Sequence, residues 1–308
     1  MSEGVWMDMK VKAIAPWFGG KRTMAPEIVT ELGKHTQYFE PFCGSMAVLF
    51  QKPTCSQETV NDLHGDVTNL AWVLQDETMA VELYERASRT LFAEDMIRSM
   101  WRELTSRGPC GLTPDPERAF HFFAFSWAMR NGVSGTSREN GFSLAIRFTA
   151  GGGSPTVRFR SAVESIPSWH DRLRNVVILR RDAFSLIEKF DDSTSLAIYA
   201  DPPYVRESRS GYAAAGATSR YEHEFDHDNP LFGDDHVRLR DALARFKSAR
   251  IVVSYYDCAR VRKLYSGWTF VTHTCHKNLH VQSKRESTRN EAPEVLIING
   301  PSYAGGCQ

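Results

Sequence analysis

The 308-residue chain contains no apolar run approaching the roughly 20 residues of a membrane helix, and its first 30 residues carry Asp8, Lys10, Lys12, Lys21 and Arg22 where a signal peptide would be apolar. The expectation is a soluble, cytoplasmic protein with no membrane partner. Its six cysteines, at 43, 55, 110, 258, 275 and 307, include no C-x-x-C pair. That spacing argues against a disulfide framework and against a zinc site built on paired thiolates, so they read as reduced thiols. Net charge is absent too, because Lys plus Arg and Asp plus Glu both total 37. Overall charge therefore gives no hint of a polyanionic partner. There is no internal repeat and no long low-complexity tract; the nearest, "FTAGGGSPT" at 148–156, reads as a loop.

What charge there is lies unevenly. From Arg118 to Arg181 ten arginines stand against three acids with no lysine, so that segment is net +7 and the rest of the chain −7. Arginine-rich segments suit phosphate and base-edge contacts, although a solvated helix face balanced by acids elsewhere gives the same count.

Seven short apolar runs read as buried strands: "QYFEPF" at 37, "ETVND" at 58, "NVVILR" at 175, "SLAIYAD" at 195, "ARIVVSYY" at 249, "WTFVTHT" at 268 and "EVLIIN" at 294. Helical patterns such as "VTNLAWVLQD", "PERAFHFFAFSWAM" and "DDHVRLRDALARFKS" lie between them. Strands alternating with helices predict an α/β fold whose mostly parallel sheet is covered on both faces. Residues 76–174 break the rhythm, helical first and then rich in glycine, serine and arginine, and read as an insertion. The remaining residues 1–75 and 175–300 form the expected main domain, with 301–308 a tail.

In "SLAIYADPPYVRES", at 195–208, two prolines stop the strand at Asp201, because proline has no N–H for the ladder. Ligands of open α/β sheets bind at the carboxyl ends of strands, so a carboxylate, a rigid carbonyl and an aromatic ring at such an end form a site-like group. A strand exit with an incidental Asp also explains the bare tetrapeptide. In "YFEPFCGSMAVLF" a strand turns through Gly44 into a helix, where the backbone can approach a ligand closely. The turn is not G-x-G-x-x-G, which removes most support for a dinucleotide. "TVNDLHGD" ends a strand on Asp62, where nucleotide-binding folds hold an acid for ribose hydroxyls; Asp62 can equally cap the following helix. Together the two turns suggest an adenosine-containing ligand. "PWFGGKR" puts Trp17, a glycine pair and Lys21 before a helix that starts near Pro26, and "RRDAFSLIEKF" puts Asp182 at another strand end.

The order "PWFGGK", "EPFCGS", "ND", "RDAF", "DPPY", with a segment inserted between the second and fourth, resembles Dam-type DNA adenine methyltransferases, the alpha group of amino-methyltransferases. The likeness continues through "VVSYYD" to "EVLIING" and covers most of the chain. It implies a Rossmann-like methyltransferase fold with a seven-stranded sheet and a largely helical target-recognition insertion. It also implies transfer of a methyl group from S-adenosylmethionine to the N6 amine of adenine in double-stranded DNA, with S-adenosylhomocysteine as product and base flipping. Around the cofactor it places Trp17, Gly20, Lys21, Phe42, Gly44, Asp62, Asp182 and Asp201; the catalytic tetrad is Asp201, Pro202, Pro203 and Tyr204. Lys21 also reaches toward DNA. In the insertion, "MRNGVSGTSRENGFS" is loosely similar to the family's DNA-contacting hairpin and offers Arg130, Arg138 and Asn140. One departure stands out: Met46 occupies the second glycine position of the family's F-x-G-x-G pattern.

The tetrad also makes chemical sense by itself. An adenine amine is a poor nucleophile, and Asp201 with the Pro202 carbonyl can accept its two N–H groups, stabilising the positive charge that grows on nitrogen during attack. The electrophile is activated in the cofactor, so no metal is needed. The same chemistry would serve the cytosine amine. A non-catalytic DNA-binding protein on the same fold is the rival from another class, and RNA a third reading. "HTCHKNLH", with His273, Cys275, His276 and His280, reads as strand and turn over zinc, since alternation sends Cys275 and His276 to opposite faces. "YEHEFDHDNP", with His223 and His227, reads as a solvated loop. A monomer is the default, with a dimer left open.

Overall fold

β-branched and aromatic runs bounded by turn residues give seven strands: β1 Gln37–Glu40, β2 Gln57–Asn61, β3 Val176–Leu179, β4 Leu196–Ala200, β5 Arg250–Tyr256, β6 Thr269–His273 and β7 Glu294–Ile298. All seven coincide with apolar runs in the sequence. The computed structural model describes residues 10–17, 19–128, 154–205, 223–226, 233–273 and 293–304. The strands form one sheet in the order β3-β2-β1-β4-β5-β7-β6. Strands β1 to β5 are parallel, and β7 runs antiparallel between β5 and β6. This is the mixed α/β sheet expected of a Rossmann-like methyltransferase.

Every residue of β4 and β7 is buried, as strands covered on both faces must be. The period of two sorts their side chains into two cores. Ala197, Tyr199, Val252 and Leu296 join one apolar cluster, and Ile198, Ala200, Val253 and Ile297 join the other.

Eleven helices are described: α1 Ala25–Leu32, α2 Ala47–Gln51, α3 Gly65–Gln75, α4 Glu77–Ser88, α5 Glu94–Ser106, α6 Pro116–Ala128, α7 Pro155–Val163, α8 Ile166–Leu173, α9 Ala183–Ile187, α10 Asp235–Ala244 and α11 Ala259–Leu264. None is long and apolar enough to cross a membrane. Helix α6 is buried along its length from Arg118 to Ala128, which makes it a core helix and not an amphipathic surface one. Its Phe123 and Trp127 share the first cluster with Trp169 of α8 and with Leu296 of the sheet. Trp127 and Trp169 donate their indole N–H groups to Ile14 O and Val11 O, at 3.1 and 2.7 Å. The helices between β2 and β3 are thus cemented to the sheet and to the N-terminal segment.

Helices α7 and α8 arise where the sequence looked glycine-, serine- and arginine-rich. Each opens with proline in its first turn, at Pro155 and Pro167, where the missing N–H costs nothing. The basic segment is also partly spent inside the fold. Arg118 pairs with Asp66, and Arg172 donates to both oxygens of Glu58 and to Leu49 O.

The chain leaves β1 for β2 on one side and returns to β4 on the other, so the strand order reverses between β1 and β4. At such a switch point the carboxyl ends of neighbouring strands open a crevice.

Candidate active site

The crevice is walled by the turns that follow β1, β2, β3 and β4. After β1, Gly44 has φ +45°, and a Cβ added there would sit 2.9 Å from Trp17 Nε1. Glycine is therefore required twice over, by backbone angle and by the indole packed on it. Gly44 N donates to Asp62 Oδ2 at 2.8 Å, and His64 N donates to Asp62 Oδ1 at 2.9 Å. Burial pushes the Asp62 carboxyl above its ordinary range, while these two N–H groups pull it down. The cap of α3 is His64, whose Nδ1 accepts from Val67 N at 3.4 Å. Asp62 is therefore not the helix cap; it ties the β1 turn to the β2 turn. The His64 ring meets Trp17 edge-on, with centroids 5.2 Å apart.

Asn61, at the end of β2, joins a third turn. Its amide donates to Pro41 O and Arg181 O, both at 3.0 Å, and accepts from Arg181 N at 2.9 Å. Asp182 follows, capping α9 through Ser185 N at 2.8 Å. The next aromatic, Phe184, lies under the Arg238 guanidinium at 3.9 Å.

At the end of β4, both oxygens of Asp201 are engaged. Oδ1 accepts from Ser254 Oγ at 2.7 Å, and Oδ2 faces Lys21 Nζ at 2.9 Å. Lys21 also donates to Gly19 O at 2.5 Å and lies 5.1 Å from the centre of the Tyr204 ring. Tyr204 itself is buried, with Tyr256 packed edge-on at 4.6 Å and Tyr255 tilted at 5.6 Å.

These walls enclose a cavity of about 320 Å³. All eight residues expected around the cofactor line it, together with Pro202 and Pro203. Tyr204 lies behind them. Arg130, Arg138 and Asn140 fall outside the described residues, as do His227, Cys275, His276 and His280. His273, on β6, pairs with Glu27 at 2.8 Å.

Several lining residues were not singled out by sequence. Glu40, the last residue of β1, is buried and accepts from Tyr38 Oη at 2.8 Å. Burial, reinforced by the charges of Asp201 and Asp62, pushes its carboxyl up to about 8, against the bond from Tyr38. His64, Phe184 and Arg238 also line the cavity. The available signal for Glu40 was its position, a carboxylate ending a strand like Asp62 and Asp201. Arg238 had no local signal.

Away from the cavity, Glu103, Glu117 and His121 bring ligand-type atoms within 4.8 Å of one another, the one such group among the described residues. Glu117 is already held by both Arg86 Nη atoms, so the group works as an ion-pair network across α4, α5 and α6.

A family model described as D12 class N6 adenine-specific DNA methyltransferase matches residues 17–286. Comparison with curated proteins returned no match.

Proposed function

The chain belongs to the D12 class N6 adenine-specific DNA methyltransferase family, and from that premise we propose site-specific methylation of adenine N6 in double-stranded DNA, with S-adenosylmethionine as donor and the target base flipped out. The observation that carries the reading is one cavity shared by Gly44 and Asp62 on one wall and by Asp201 and Pro202 on the other.

The residues present fit the cofactor. Gly44 leaves a flat wall against Trp17 where any Cβ would intrude, Asp62 offers a carboxylate to ribose hydroxyls, and Phe184 beside Asp182 offers a ring face and a polar edge to adenine. Gly20 and Phe42 complete the lining. When bound, S-adenosylmethionine supplies a methyl group already activated on a sulfonium sulfur. The protein's part is orientation and charge. Asp201 and the Pro202 carbonyl accept the two N–H groups of the amine, holding its lone pair in line with the methyl carbon and stabilising the charge that develops on nitrogen. Lys21 shares the Asp201 carboxylate, placing a positive charge beside the acceptor. Pro203 stiffens the turn, and the buried Tyr204 ring backs it.

Inside a duplex the amine is out of reach of such a cavity, so the base must leave the stack at a cost of a few kcal/mol. Residues 76–174, with Arg130, Arg138 and Asn140, are the segment we assign to recognition of the flanking DNA, Lys21 contributing from the cavity side. The protein acts as a monomer and without a metal.

The test is incubation with unmethylated duplex DNA and methyl-labelled S-adenosylmethionine, followed by nucleoside mass spectrometry. Labelled N6-methyladenine, absent with Asp201→Ala, is the expected result. Label on the cytosine amine, or none with folded protein, would overturn the reading.

A further inference from the structure

The Asp201 carboxylate rests on a buried hydroxyl chain that reaches it from two strands. Register aligns Ala200 of β4 with Val253 of β5, which brings Ser254 alongside Asp201 just past the paired residues. Tyr199 is on β4 and Asp201 directly follows the strand, two residues on and so toward the same face. On that face Tyr199 Oη lies 2.9 Å from Ser254 Oγ, and Ser254 Oγ lies 2.7 Å from Asp201 Oδ1. Ser254 is fully buried and Tyr199 nearly so.

Proton counting gives this chain one direction. An ionised carboxylate only accepts, so Ser254 gives its single hydroxyl proton to Asp201. Tyr199 must then donate to Ser254. Burial, and after it the nearby charge of Asp201, raises the Tyr199 hydroxyl well above its ordinary range, which keeps it a donor. A hydroxyl in the middle of a buried strand is costly unless bonded, so the chain holds a defined geometry at a place where an apolar side chain would otherwise pack.

We propose that Ser254, backed by Tyr199, is a positioning residue for methyl transfer: it fixes Asp201 Oδ1, so that Oδ2 is presented to the target amine. This rests on the reading of Asp201 as the acceptor of that amine. Ser254 touches neither DNA nor cofactor in this role; it acts through Asp201.

Ser254→Ala removes the donor and frees the carboxylate to turn. The expected result is a fall in kcat of roughly 10- to 100-fold, the scale of a misplaced reacting group. The KM for DNA and the Kd for S-adenosylhomocysteine, measured by calorimetry, should stay within about twofold, since Ser254 is not in either binding surface. Tyr199→Phe, which keeps the ring, should lower kcat in the same way by less. If Ser254→Ala does not fold, Tyr199→Phe decides alone.

Wild-type protein that transfers no methyl group to adenine would defeat the proposed function, and this inference with it. Active wild type with unchanged kcat in the folded variants would overturn the positioning role only. So would a loss of S-adenosylhomocysteine affinity that accounts for the whole drop in activity.

Discussion

Lys21 Nζ stands 2.9 Å from Asp201 Oδ2, with the lysine side chain only 4 % exposed and the aspartate 21 %. A lysine so buried needs its partner, because a charge left without one in a poorly solvated site costs more than the pair contributes. Asp201→Asn should therefore lose on the order of 2–4 kcal/mol of stability along with activity. In the double variant Lys21→Met with Asp201→Asn, more than half of that stability should return while activity does not. Urea midpoints of the wild type, both single variants and the double variant give the coupling. Additive losses would show that the pair is not the source of the effect.

Glu40 makes a pH prediction whose sign is set by its raised pKa. Its carboxyl titrates near 8 in the folded protein against 4.5 in the unfolded chain, so the folded state holds its proton longer. The resulting stabilisation is full below about 4.5 and is lost as pH rises toward about 8, at up to roughly 1.4 kcal/mol per pH unit. Glu40→Gln cannot titrate. The stability of wild type minus that of Glu40→Gln should therefore decline between about pH 5 and about pH 8 and level off above it. Chemical denaturation of both proteins across that range checks this, and a flat difference would place the Glu40 pKa in the ordinary carboxylate range.

Met46 carries a conformation that favours glycine. Its φ is +61°, left-handed, and it is the one described non-glycine residue with positive φ. The strain is on the order of 1–2 kcal/mol, yet the side chain is fully buried in the main apolar cluster. Two opposing terms follow on substitution. Met46→Ala loses the packing and keeps the strain; Met46→Gly loses the packing and relieves it. Glycine should thus be at least as stable here as alanine, against the usual preference for alanine of about 0.5–1 kcal/mol. Thermal melts of both variants decide the order. Alanine clearly above glycine would mean that the left-handed turn relaxes when the methionine goes.

The strands were legible because each run of β-branched and aromatic residues is short, and most end at Pro, Asn or Asp. Asp62, Asp182 and Asp201 were legible as candidates because a carboxylate at the carboxyl end of such a run has few other reasons to be there. Ser254 was not, since its meaning depends on the register between β4 and β5, which no local pattern contains. Glu40 sits in a quoted motif, but its raised pKa comes from burial and from the charges of Asp201 and Asp62, which only tertiary structure brings to it. Asp62 is the helix cap the sequence suggests, yet the cap is His64, because Asp62 is taken up by Gly44 N and His64 N. The positive charge of the Arg118–Arg181 segment overstated its free surface, because Arg118 and Arg172 are committed to Asp66 and Glu58.

Gly44 offers the sharpest separation of cofactor binding from folding. Alanine there meets two obstacles, a φ of +45° and an indole nitrogen 2.9 Å from the new methyl. Relief requires Trp17 to shift, and Trp17 is both a wall of the cavity and the edge-on partner of His64. The turn must also keep Gly44 N on Asp62, or the carboxylate loses one of its two N–H donors. Both adjustments fall on residues proposed to hold the cofactor, and neither touches the ion pair of Lys21 with Asp201. Gly44→Ala should weaken S-adenosylhomocysteine binding by at least roughly tenfold, equivalent to about 1.4 kcal/mol, while costing only about 1–3 kcal/mol of stability. Asp62→Asn, which adds no methyl but replaces one of the two accepting oxygens with an NH2, should weaken binding through loss of the carboxylate and disturb the Trp17 environment less than Gly44→Ala does. Calorimetric titration gives the affinities, and tryptophan fluorescence tells the two variants apart. Unaltered affinity in Gly44→Ala would remove this turn from the cofactor site.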